Sequence, residues 1–72
     1  MEQQLEDLHQ RLAAISEELG DLSMTVLRDA LDDGADRRPP LDKVLSRVRR
    51  SVDKAAALIE REAIRLARSE DG

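Results

Sequence analysis

The side chains best able to do chemistry are carboxylates and cations set at helical spacings. Glu18 and Asp21 stand three apart in "EELGDL", residues 17–22, and Asp29, Asp32 and Asp33 follow downstream. Oxygen ligands at i, i+3 suit a hard cation such as Mg²⁺ bridging phosphates. Lys43, Arg47, Arg50 and Lys54 are spaced 4, 3, 4 and share one helix face, a stripe that could track phosphates. His9 is the lone histidine; no Ser–His or Cys–His arrangement surrounds it and no second ligand sits at i+4.

Positioning these groups falls to helices. The 72 residues are 40% hydrophobic and 39% charged, without Phe, Tyr, Trp or Cys, and Ala, Leu, Glu and Arg dominate. An all-α single domain with an aliphatic core follows. Zero Cys excludes a disulfide framework and a Cys-ligated zinc site. No apolar run approaches the roughly 20 residues of a membrane span, and "MEQQLEDL" is too acidic and polar for a signal peptide. The expectation is a soluble cytoplasmic protein with no cofactor.

In the first half, Leu5, Leu8, Leu12, Ile15, Leu19, Leu22 and Val26 are spaced 3, 4, 3, 4, 3, 4, a coiled-coil heptad seam. Met24, Leu27 and Leu31 widen the apolar face toward the middle of the chain. Gly20 lies inside, at a cost of about 1 kcal/mol relative to Ala. The spacing passes through it without a phase shift, so one helix is predicted at about residues 3 to 33. In the second half, Leu41, Leu45, Val48, Val52, Ala55 and Ile59 repeat the pattern, Glu62 interrupts it and Leu66 resumes it. A second helix follows at about 40 to 68, with 69–72 a frayed tail.

Between them, "ALDDGADRRPPLDKV" reads as a hinge at about 34–39. Gly34 can take the left-handed conformation that ends a helix. Pro39 and Pro40 cannot continue a helix from upstream, yet a proline suits the first turn of the next. Asp42 then stands at the positive end of the helix dipole. Helices of nearly equal length and a short connection favour an antiparallel two-helix hairpin. With facing residue numbers summing to about 72, Leu31 would meet Leu41, Leu27 would meet Leu45, and Ala13 and Ala14 would approach Ala56 and Ala57.

Charge is divided along the chain. Residues 1–36 carry ten acids against Arg11 and Arg28, about −8; residues 37–72 carry ten bases against six acids, about +4; together they give the net −4. Folding back sets an acidic helix beside a basic one, so intramolecular complementarity is the simplest expectation. A basic half could also attract a polyanion.

A chain this small, without disulfides, commonly needs association to stabilise its core. Two hairpins are expected to dimerise into a four-helix bundle, burying Met24, Leu27, Leu31, Val44 and Leu58. A larger protein partner could instead complete the hairpin. Nucleic acid is a weaker expectation, since the net charge is acidic and no aromatic is present for base stacking.

Local resemblances accompany these readings. "EELGDL" resembles the E-x-x-D element of the MazG-like nucleotide pyrophosphohydrolases, with Glu18 and Asp21 at the matching positions, and implies a metal-dependent hydrolase or its remnant. The E-x-x-E pair that completes the site in that family has no counterpart here. "LEDLHQRLAAISEEL" is similar in spacing to the first helix of the all-α chorismate mutases, but His9 stands where that pattern has Arg. "GDLSMTVLRDALDDG" looks like the G-x-L-x-L…E-E-G segment of the exonuclease VII small subunit, a helical accessory protein, through Leu22, Met24, Leu27, Leu31 and Gly34. The Arg-over-Lys, Ala/Asp-rich usage resembles small helical proteins of high-GC bacteria. The leading expectation is a non-enzymatic interaction or oligomerisation module acting through an apolar helix face.

Overall fold

The computed structural model describes residues 1–71, with side chains through Ser69. It contains two helices, α1 (Glu2–Asp32) and α2 (Pro40–Asp71), packed against each other in a rod with extents of 60 × 14 × 11 Å. α1 is continuous through Gly20. α2 runs beyond the expected end at residue 68, and Gly72 of the expected tail lies outside the described residues.

The bend is built as the sequence implies. Gly34 has φ 84°, its N–H reaches the Leu31 carbonyl at 3.0 Å, and the Ala35 N–H reaches the Ala30 carbonyl at 2.9 Å. These two bonds form a Schellman motif, which satisfies carbonyls left open at the end of α1. Pro40 opens α2, where its missing N–H leaves no helical bond unmade. The Asp42 N–H returns to the Pro39 carbonyl at 3.0 Å.

The seam differs from the one predicted. The buried and half-buried positions of α1 include Leu5, His9, Leu12, Ser16, Leu19, Ser23, Val26 and Ala30, with Leu27 at the margin. Leu8, Ile15 and Leu22, expected in the seam, are 43%, 43% and 47% exposed. α2 is rotated in the same sense: Asp42, Leu45, Val52, Ala56, Ile59, Ala63 and Leu66 face inward, while Leu41 and Val48 face out. Both helices keep one predicted leg of the heptad, Leu5/Leu12/Leu19/Val26 and Leu45/Val52/Ile59/Leu66. Both exchange the other leg for its neighbour one residue later.

Size and polarity explain the rotation. Four of the exchanged positions are small (Ser16, Ser23, Ala56, Ala63), so several large side chains of one helix meet a small one of the other. Leu5 comes level with Ala63, Leu12 with Ala56, and Ser23 with Leu45. The polar members find partners across the seam. Ser16 Oγ donates to Asp53 Oδ1 at 2.5 Å and accepts from Arg49 Nε at 3.2 Å. Ser23 donates to Asp42, and His9 Nε2 pairs with Glu60 Oε2 at 3.2 Å.

These bonds also correct the register. His9–Glu60 and Ser16–Asp53 each sum to 69, and Ser16–Arg49 and Ser23–Asp42 to 65, centring near 67 rather than 72. Because Asp42 stands level with Ser23, the last turns of α1 overhang the start of α2. Residues 35–39 return along Leu27 and Ala30, and Leu31 is left 72% exposed instead of meeting Leu41. Ala13 and Ala14 are likewise exposed rather than packed on Ala56 and Ala57.

Candidate interaction surface

Successive residues of an α-helix are offset by about 100°. In each helix one apolar column therefore lies beside the seam, one residue before its small positions: Leu8, Ile15 and Leu22 in α1, Leu41, Val48 and Ala55 in α2. Both helices are right-handed and they run antiparallel, so columns with the same offset fall on the same side of the hairpin. Val44 and Leu58 extend that side outward on α2 and are 52% and 54% exposed. The result is one apolar face that covers roughly 27 Å of the 60 Å rod at 1.5 Å per residue. Its far end is closed by Glu62, whose carboxylate accepts from Arg65 Nε at 3.0 Å. That hydrogen bond, with the charge of Arg65, holds the Glu62 carboxyl below the ordinary glutamate range, against a smaller opposing effect of desolvation.

The opposite side is mixed: it carries the cross-helix polar contacts, and Met24 and Ile64 are also exposed there. One groove there joins Glu6 and Gln10 of α1 to Glu60 and Ile64 of α2, and a second joins Glu17, Gly20 and Met24 to Ser46 and Arg49. Gly20 has a role in the second. A Cβ at this position would stand 2.9 Å from Arg49 Nη1 and 3.1 Å from its Cζ, so the bare glycine lets the guanidinium lie flat across α1. From there Arg49 reaches Ser16. At the bend, Arg38 and Ser23 both engage the carboxylate of Asp42, which is fully buried.

The residues singled out from sequence are thereby divided. Val44 and Leu58 belong to the apolar face. Met24 and Leu27 line the polar-side groove, and Leu31 flanks the bend with Leu27. The five do not form one surface. Glu18 and Asp21 are both exposed, and among the described residues no group of three or more His, Cys, Asp or Glu could hold a metal ion. Lys43, Arg47 and Arg50 line a shallow depression of about 240 Å³ with Arg38 and Ser46; Lys54 continues the ridge. None of these four stripe cations has an acidic partner among the described residues.

No protein-family model, curated protein or solved structure matches the chain. Surface chemistry is thus the ground for function.

The charge division is not resolved inside the hairpin. From Glu6 onward, no acid of α1 pairs with a Lys or Arg of α2 among the described residues. The ion pairs are Arg11–Asp7 and Arg65–Glu62 within helices, Arg38–Asp42 at the bend, and His9–Glu60, whose acid is on α2. Among the described residues no helix is long and apolar enough to cross a membrane. The apolar face was missed because its columns were assigned to the seam. The signal that could have found it is the recurrence of His9, Ser16 and Ser23 at seven-residue spacing, matched by Ala56 and Ala63.

Proposed function

We propose that the protein is a non-enzymatic helical interaction module that self-associates into a four-helix bundle. The observation that carries this reading is the apolar face of Leu8, Ile15, Leu22, Val48 and Leu58 on one side of a hairpin whose cross-helix polar contacts lie elsewhere. Contiguous apolar surface of this extent on a small chain marks an association site. A hairpin buries only one stripe of each helix, and a second layer supplies what the first lacks.

Light scattering across a concentration series tests it. The expected mass is twice the 8.1 kDa of one chain at micromolar concentration. A single-chain mass at every concentration, with a cooperative melt, would refute the reading.

The basic ridge supports a second reading, contact with a polyanion, because its cations have no acidic partner among the described residues. Binding to duplex DNA should then weaken steeply with salt. Binding that is absent at low salt removes it.

A further inference from the structure

We infer that the whole outer face of α2 is a docking ridge for duplex nucleic acid, which it holds through backbone phosphates without reading base sequence. This rests on the polyanion reading and extends its site from one end of the helix to the other.

The ridge is longer than the four-residue stripe. At about 100° per residue, Arg61 and Arg68 fall within about 60° of Lys43, Arg47, Arg50 and Lys54, on the side of α2 away from the seam positions Leu45, Ala56 and Ala63. All six cations are exposed, and none pairs with an acid among the described residues. Arg65 lies in the same sector with its charge committed to Glu62. Among the described residues no carboxylate of α2 falls there: Asp53 and Glu60 turn to the seam, where they meet Ser16 and His9. From Lys43 to Arg68 the ridge runs about 37 Å at 1.5 Å per residue.

Length and composition select the partner. A single phosphate needs only the depression near the bend, where Lys43, Arg47 and Arg50 gather around Ser46. Six unpaired cations spread over about one duplex turn, roughly 34–36 Å, suit a polymer of phosphates instead. A protein partner requires an apolar core in the interface; this sector holds cations alone, the composition that favours a phosphate backbone. An anionic membrane takes up aliphatic side chains together with cations, but the aliphatic face bordering the ridge has Glu18 and Asp29 along its α1 edge. Single strands are gripped by stacking on aromatic side chains, and the chain has none. The acids of α1 do not oppose the contact. They stand behind the ridge by a helix diameter of about 10 Å, past the Debye length of about 8 Å at physiological ionic strength.

Fluorescence anisotropy with a labelled duplex of about two turns, repeated over a series of salt concentrations, tests the ridge. Log affinity should fall against log salt with a slope between about −4 and −5, close to what six phosphate contacts allow. Arg61→Ala combined with Arg68→Ala should weaken binding about tenfold at low salt and make the slope shallower by about 2. Lysine at both positions should restore the slope, because a phosphate contact needs a charge rather than a fork. Arg11→Ala with Arg28→Ala, on α1, should change affinity less than about twofold. Duplexes of unrelated sequence should bind within about threefold of each other.

Duplex binding with a slope untouched by the change at 61 and 68 would overturn the extended ridge and leave the polyanion reading standing. A preference above about tenfold between duplex sequences would overturn docking through the backbone alone. Tighter binding to a single strand of the same length, or to phosphatidylserine-containing vesicles, would overturn the choice of partner. No binding to duplex, single strand or vesicles at low salt would overturn both readings.

Discussion

The two sides of the hairpin differ in how their side chains are spent. One side carries directional contacts: Ser16 between Asp53 and Arg49, His9 on Glu60, Arg49 across Gly20. The other carries aliphatic side chains about half exposed, Leu8, Ile15, Leu22, Val48 and Leu58 among them. The comparison teaches a division of labour. Polar contacts set helix rotation and register within the chain, because each requires one geometry. The non-directional apolar excess is left for association.

The largest effects should come from the apolar side. Ile15→Asp is expected to weaken dimerisation more than 100-fold, since an uncompensated charge in a desolvated layer costs several kcal/mol. Met24→Asp, on the polar side, should leave the dissociation constant within about threefold. Equal effects of the two, read by sedimentation equilibrium, would erase the distinction between the sides.

The polar side should report next, in stability rather than mass. Ser23→Ala removes the hydroxyl donor from buried Asp42 and leaves Arg38 as the remaining partner. A loss of about 1–3 kcal/mol in urea unfolding is expected. An unchanged midpoint would mean that this bond does not hold the bend.

Gly20→Ala is a finer probe. Helix propensity favours Ala by about 1 kcal/mol, but the added Cβ must displace the Arg49 guanidinium, the far end of a flexible side chain. The net should be a gain of about 0.5 kcal/mol. A loss greater than 1 kcal/mol would show that Arg49 is held there more firmly than one 3.2 Å hydrogen bond to Ser16 implies.

The smallest effect is at the end of the apolar face. In NMR titration the Glu62 carboxyl should titrate below an ordinary glutamate and return to the ordinary range in Arg65→Ala. A depressed folded-state pKa means that the contribution to stability is present above the unfolded pKa and is lost as pH falls through the folded value. At this exposed pair the effect should be read from the titration rather than from the melting curve.

The comparison also explains what the sequence disclosed. The bend was legible because Gly34, Pro39 and Pro40 each restrict the backbone locally, and local restrictions are read without knowing the partner strand of chain. Helix lengths were legible for the same reason. Rotation and register were not. Leu8 and His9, or Ile15 and Ser16, lie on adjacent flanks of the same seam, and hydropathy alone ranks the larger aliphatic inward. Which one is buried depends on what the opposite helix offers: Asp53 and Arg49 for Ser16, Glu60 for His9. That is a tertiary fact. Val44 and Leu58 were placed on an outer face by their excess over the seam; Met24, Leu27 and Leu31 were grouped with them although about 100° per residue carries them to the other side.

The most direct test of the covered apolar face is an isotope-filtered NOE experiment on a mixture of labelled and unlabelled chains. The account predicts intermolecular cross-peaks from the Ile15 methyl groups to methyl groups on the apolar face of the other copy. Ile15 methyl groups that show no contact with the other copy, in a sample sedimenting as single folded chains, would contradict it.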